Sequence, residues 1–169
     1  MLIRLLYVST AHKNVGLDEF RAILAQAQTN NEARDLTGVL AFNSKMFLQA
    51  LEGARDQVNT LYGKLLRDPR HHSVTMLSLQ DIERRQWADW SMGFVAPNSA
   101  NRALLLKYSA SSTFDPYKMP AETALQMLQE LAAATVSVAT PTSTERPVAV
   151  EEEQGFFSRF IKKPDAALR

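Results

Sequence analysis

The chain has no cysteine among its 169 residues. That excludes disulfides, thiolate metal sites and cysteine nucleophiles together, and it suits a reducing compartment. Charge of one sign is also lacking. The formal net charge is +1, so no broad basic surface for nucleic acid is expected. No apolar run approaches the roughly 20 residues of a membrane helix, so no membrane span is expected. Met1-Leu2-Ile3-Arg4-Leu5-Leu6-Tyr7 has neither the basic lead nor the cleavage site of a signal peptide, and it reads as a strand. What is present is apolar material, 46% of the chain, enough for a real core and too much for a disordered polymer. A cytoplasmic protein with one compact domain and an appendage is expected.

Leu2 to Ser9 is a predicted strand, with Ile3, Leu5 and Tyr7 on one face and Leu6 and Val8 on the other. From Gly16 to Asn30, Leu17, Phe20, Ile23, Leu24 and Ala27 recur at helical spacing, with Asp18 and Glu19 in the first turn. Leu36 to Phe42 and Met46 to Gly53 form a hairpin about Asn43-Ser44-Lys45. A second helix, Ala54 to Arg67, stops at Asp68-Pro69. Strands are predicted over Val74 to Ile82 and Trp90 to Val95, joined by the polar crossing Arg84-Arg85-Gln86. The order β-α-β-β-α-β-β is the α+β, ferredoxin-like pattern with one extra strand, its two helices on one face of the sheet. Two later helical segments, Ala103 to Tyr108 and Ala121 to Ala134, are expected to cover the other face. Residues 1–97 are thus a first domain and 98–135 a helical extension. Residues 136–169 are a Thr/Ser/Pro-rich tail ending in Phe156, Phe157, Phe160 and Ile161, a candidate docking face.

Gln49 stands out. It shares a strand face with Phe47 and Leu51, and a buried amide needs partners or costs about 1–3 kcal/mol. Other polar residues sit at helix ends or in apolar strands: Tyr7 beside Leu5, Asn30 and Asn31 closing the first helix, and Asp68, Arg70, His71 and His72 after the second. Trp90 and Met92 share a face two residues apart. Folded as above, these groups gather at a slot between the two helices. Ile23 and Leu65 would wall a planar ligand, Asn30, Asn31 and Gln49 would meet its polar edge, and Lys64 and Arg70 would meet a phosphate. Taken singly, each residue has a plainer reading. Tyr7 is a core tyrosine with its hydroxyl at the rim, Gln49 bonds a neighbouring backbone, Asn30-Asn31 is a helix stop, and Trp90 and Met92 are core. His71 and His72, adjacent in a strand, point to opposite faces, which argues against a shared metal.

Together and in order, the stretches Arg4-Leu5-Leu6-Tyr7-Val8-Ser9, Asn30-Asn31, Leu36-Thr37-Gly38-Val39-Leu40, Phe47-Leu48-Gln49-Ala50-Leu51-Glu52-Gly53, Asp68-Pro69-Arg70-His71-His72 and Trp90-Ser91-Met92-Gly93 resemble the BLUF domains, blue-light sensors that bind FAD. The likeness is strongest to their short, single-domain members. It covers residues 2–97 and continues more loosely to about Ala134. The resemblance implies FAD between the two helices, its isoalloxazine ring inward and its pyrimidine edge held by Asn30 and Asn31. It also implies Gln49 bridging Tyr7 and the flavin edge, and light drawing an electron and a proton from Tyr7. Gln49 would be left reoriented or tautomerised, and Trp90 and Met92 would relay the change. No substrate bond would be made or broken. Output would pass to a downstream signalling protein, and homo-oligomers are expected by family likeness. Lys64 stands where close relatives would carry arginine, keeping the charge but losing the bidentate fork.

Two other readings stand beside this one. The first is a small ferredoxin-like hydrolase of the acylphosphatase type, using Arg70 and Asn31 on phosphate. Its phosphate loop should follow the first strand, and Thr10 to Gly16 holds no arginine. The second is a flavin-free regulatory module.

Overall fold

The computed structural model describes residues 1–97 and 101–138. Five strands form one sheet in the order β4-β1-β3-β2-β5: β1 (Leu2–Ala11), β2 (Thr37–Phe42), β3 (Met46–Ala54), β4 (His71–Asp81) and β5 (Gly93–Val95). The first four give the ferredoxin-like order. β5 is added at the β2 edge and runs parallel to β2. The β2–β3 hairpin turns at Ser44, whose φ is 70°, and the Asn43 side chain accepts from the backbone N–H groups of Lys45 and Met46. β1 and β3 are central, and Tyr7 lies directly opposite Gln49 in their antiparallel ladder.

Strand alternation sorts the core into two layers. Ile3, Leu5, Tyr7, Leu40, Phe47 and Leu51 face α1 (Leu17–Glu32) and α2 (Arg55–Leu65). Leu6, Val8, Val39, Leu48 and Ala50 face the opposite way. There α3 (Arg102–Tyr108) and α4 (Ala121–Val138) supply Leu105, Met127, Leu128 and Leu131, and the connection between them, with a 3-10 turn at Pro116–Lys118, supplies Phe114. The expected second cover is therefore built, and helices flank the sheet on both sides. Lys107 and Tyr108 of α3 both reach Glu130 of α4, each at 2.5 Å.

Several predicted boundaries move. α1 continues to Glu32, so Asn30 and Asn31 lie in its last turn and do not close it. The turn after it, with Asp35 at φ 52°, makes the stop. β4 begins at His71, three residues before the predicted Val74. α4 runs through Val138, into what composition marked as tail. The rest of that tail, with Phe156, Phe157, Phe160 and Ile161, lies outside the described residues.

The largest correction concerns the last strand. Only Gly93–Val95 pairs as β5, so Trp90 and Met92 lie in the connection before it, and they do not share a face. Met92 is buried with the α1/α2 layer, whereas Trp90 packs against the α3/α4 layer. The Trp90 ring lies so close over Gly93 that a Cβ there would sit 1.8 Å from it. The carbonyls of this stretch are held from afar: Gly38 N–H donates to Trp90 O at 3.0 Å, Asn31 to Ser91 O at 2.8 Å and Gln28 to Met92 O at 3.1 Å.

Candidate functional site

Between α1 and α2, above the centre of the sheet, lies a cavity of about 220 Å³. Ile23, Ala27, Asn30, Asn31 and Arg34 of α1 and its end line one side, the i, i+4, i+7, i+8, i+11 positions of a single helical face. Leu61, Lys64, Leu65 and Asp68 line the other at the same spacing. Tyr7, Leu40, Phe47 and Gln49 form the floor, and Gln26, Arg70 and His71 close the end. Every cofactor-binding residue expected from the sequence is thus brought together here. Gln26, Ala27, Arg34, Leu40, Phe47 and Leu61 were missed. The helical members were available by extending the stripe from Ile23 and Leu65, and Phe47 and Leu40 by the period-2 face of Gln49 and its partner strand.

Gln49 is 6% exposed, and both ends of its amide are engaged. The Tyr7 hydroxyl donates to its Oε1, and its Nε2 donates to Met92 Sδ at 3.3 Å. A phenol is a strong donor and a thioether a weak acceptor, so the amide is firmly held at one end and lightly at the other. The Tyr7 phenol titrates well above its ordinary range, first because it is buried and then because Asp68 and Tyr62 would oppose its charge. It therefore remains a protonated donor. Its ring lies 5.8 Å from that of Tyr62 and 6.4 Å from that of His71.

His71 Nε2 sits 2.7 Å from Leu65 O. A carbonyl only accepts, so Nε2 carries the proton. In the neutral ring Nδ1 then accepts from Ser9 Oγ at 2.8 Å. His72 turns outward to Ser73, as strand geometry requires. Among the described residues no group of three His, Asp or Glu side chains is placed to hold a metal.

Arg70 is already paired. Its Nε and Nη2 meet Asp68 Oδ1 and Oδ2 at 2.9 and 2.6 Å, and Nη1 donates to Gln26 Oε1 at 3.1 Å. The hydrogen bond from Arg70 is the main cause that holds the Asp68 carboxyl below its ordinary range, against the opposing effect of burial. The fork expected for phosphate is thus closed on a carboxylate, which removes the basis of the hydrolase reading. Lys64 stands exposed at the rim. Asn31 is buried while Asn30 is exposed, so the two adjacent amides meet the cavity at different depths.

The donor set suits a flavin. The walls carry the apolar Ile23, Ala27, Leu61 and Leu65, a hydrogen-bonding amide lines the floor, and the cations Arg34 and Lys64 also line the cavity. The cavity lies below the roughly 300–1,000 Å³ of pockets that swallow a whole drug-sized ligand. A cavity of this size would take a ring system, with the remainder of a dinucleotide outside it.

A family model described as sensors of blue light using FAD matches residues 2–93. Over 92 residues the chain is 33% identical to photoactivated adenylate cyclase subunit beta of Euglena longa, covering 54% of this chain and 11% of that protein. Over 77 residues it is 34% identical to the blue light- and temperature-regulated antirepressor BluF of Escherichia coli (strain K12), covering 46% of this chain and 19% of that one. The chain therefore spans only a small part of these curated relatives. Among solved structures, BlsA in its photo-activated state aligns with a TM-score of 0.71 at 29% identity, covering 78% of this chain and 94% of BlsA. BlrB in its dark state aligns at 0.67 and 26% identity, covering 79% and 96%. No helix of the described residues is long and apolar enough to cross a membrane. With the amide, the phenol and the two-helix cleft all inside the matched span, the chain belongs to the BLUF family, the sensors of blue light using FAD.

Proposed function

We propose that this chain is a light switch whose moving part is the Gln49 amide, and that it signals by changed protein contacts rather than by catalysis. The observation that supports this reading is the chain Tyr7–Gln49–Met92, buried at the inner end of the cavity. FAD, when bound, supplies the blue-light absorber and the electron acceptor. Tyr7 would lend an electron and a proton and recover both on recombination, and its burial keeps water from competing for that proton. Gln49 then turns or tautomerises, exchanging which end of its amide is donor and which is acceptor. The weak thioether bond at Nε2 costs little to break, so that end biases the amide only slightly toward its dark arrangement. Asn31 and Asn30 would hold the edge of the cofactor, and Lys64 and Arg34 would meet its charged end.

Output leaves through α3, α4 and the sheet face beneath them, to a downstream protein or a second copy of the chain. Thr10, at the end of β1, already joins that layer through the Tyr117 hydroxyl at 2.9 Å, and Tyr117 also donates to Ser73 O.

The purified chain is expected to be yellow, and blue illumination is expected to shift the flavin band to the red and let it return in the dark. A colourless preparation that cannot be reconstituted with FAD overturns the reading. Asn31→Ala is expected to weaken FAD binding about tenfold, the equivalent of one hydrogen bond to a polar edge, while the fraction that retains flavin still shifts. Flavin occupancy after gel filtration measures it.

A further inference from the structure

One fully buried ionisable group takes no part in this scheme. Glu52 lies on β3 three residues from Gln49, on the opposite face, and is 0% exposed. Its carboxylate accepts from Arg4 Nε and Nη2 at 2.8 and 2.7 Å. It also accepts from the backbone N–H of Gln86, at 3.1 Å on Oε1 and 2.9 Å on Oε2, and of Trp87 at 3.2 Å. Every partner is a donor, the set that suits a carboxylate and nothing else of its size. Arg85 reinforces the same place: Nη1 donates to Thr37 Oγ1 and to Glu52 O, and Nη2 to Asp35 O. The Arg4 guanidinium covers the Trp87 ring at 5.6 Å.

These bonds fasten the middle of the connection that ends in Met92. The connection between β4 and β5 has little regular structure of its own. It is held midway by Glu52 and through its own Arg85, and near Met92 by Gly38, Asn31 and Gln28. Within the β1–β3 ladder, Arg4–Glu52 and Tyr7–Gln49 are directly opposed pairs. One ladder therefore carries the photoactive pair on one face and the fastening of the Met92 segment on the other.

We propose that Glu52 is a positioning residue for the photoactive site, acting by setting how firmly Met92 meets Gln49. This rests on the reading that the Gln49 amide rearranges. The bond from Nε2 to a thioether is weak and persists only while the backbone carrying Met92 is pinned. Loosening the Glu52 fastening lets Sδ withdraw, removes a partner that favours the dark orientation, and changes the rate at which the dark state returns.

The test is a double-mutant cycle on the FAD-loaded full chain. Glu52→Gln keeps the shape but turns an NH2 toward donors. It is expected to change the dark-recovery rate by about fivefold, the scale of one ordinary net hydrogen bond. In a Met92→Ala background the same substitution is expected to change the rate by less than about twofold, because the group it acts through is gone. An equal fold-change in both backgrounds overturns the proposal, since a merely structural role gives that result. Should Glu52→Gln fail to fold, Arg85→Lys loosens the same fastening by losing the three-way guanidinium bridge, and it enters the same cycle with the same two outcomes. A wild-type chain that binds FAD but shows no reversible shift overturns the underlying reading and this inference with it, whereas a shifting wild type with additive variants overturns this inference alone.

Discussion

Tyr7→Phe is expected to give a yellow protein that no longer shifts under blue light. The substitution removes one oxygen and keeps the ring against Tyr62 and His71, so the cavity keeps its shape and FAD its site. What goes is the hydroxyl that donates to Gln49 Oε1. A phenyl ring offers no proton, and the buried position admits no replacement donor: Tyr7 is 3% exposed. Loss of the shift should be complete, with the residual amplitude below detection by difference absorption, while occupancy stays near that of the parent. The orphaned Gln49 carbonyl costs about 1–3 kcal/mol if nothing else satisfies it, so a modest fall in melting temperature accompanies the loss. Gln49→Leu separates the two contributions, since it removes the amide and its desolvation cost together. A Tyr7→Phe variant with a normal shift would show that the proton and electron come from elsewhere.

The residues that sequence patterning placed correctly share one property: their positions follow from local periodicity. Tyr7 and Gln49 face the helices because alternate residues of a strand share a face, and the neighbours Leu5, Phe47 and Leu51 show which face is buried. Ile23 and Leu65 follow from the 3.6-residue repeat. What patterning misplaced is set by contacts far along the chain. Trp90-Ser91-Met92 reads as a strand by composition. Its carbonyls are instead taken by Gly38, Asn31 and Gln28, each more than fifty residues away, and the Trp90 ring needs the bare backbone of Gly93 beneath it. Local patterning offers no partner for Glu52, an acid near the end of a strand. It is buried because Arg4, across the β1–β3 ladder, and two backbone amides 34 and 35 residues later converge on it. Arg70 shows a nearer failure. The acid that engages its guanidinium is only two residues away, and a cation with such a neighbour is a weak candidate for phosphate from the outset.

Gly38→Ala is expected to destabilise the fold severely, although it adds a single methyl group. Every residue of β2 is buried, and a Cβ at position 38 would lie 2.1 Å from Ala50 O, 3.2 Å from Ala50 C and 3.3 Å from Leu51 Cα. All three are backbone atoms of the neighbouring strand, so no side chain can swing aside. The register of β2 against β3, from Thr37–Glu52 to Phe42–Phe47, cannot slip by one residue without turning Leu40 and Phe42 to the wrong face. Relief must come from parting the two strands, which also pulls Gly38 N–H from Trp90 O and slackens the segment carrying Met92. Overpacking on this scale costs about 3 kcal/mol, a fall of about 6–12 °C in melting temperature for a chain of this length. Gly63→Ala is the matched control. It lies inside α2, where an added Cβ meets nothing nearer than the mobile end of Arg67 at 4.0 Å. There the methyl should stabilise by about 0.5–1 kcal/mol, because a helix interior penalises glycine through its unfolded-state freedom. The two variants carry the same chemical change and should move the melting temperature in opposite directions. Equal and small shifts would mean that β2 and β3 stand further apart than the close approach at Gly38 requires.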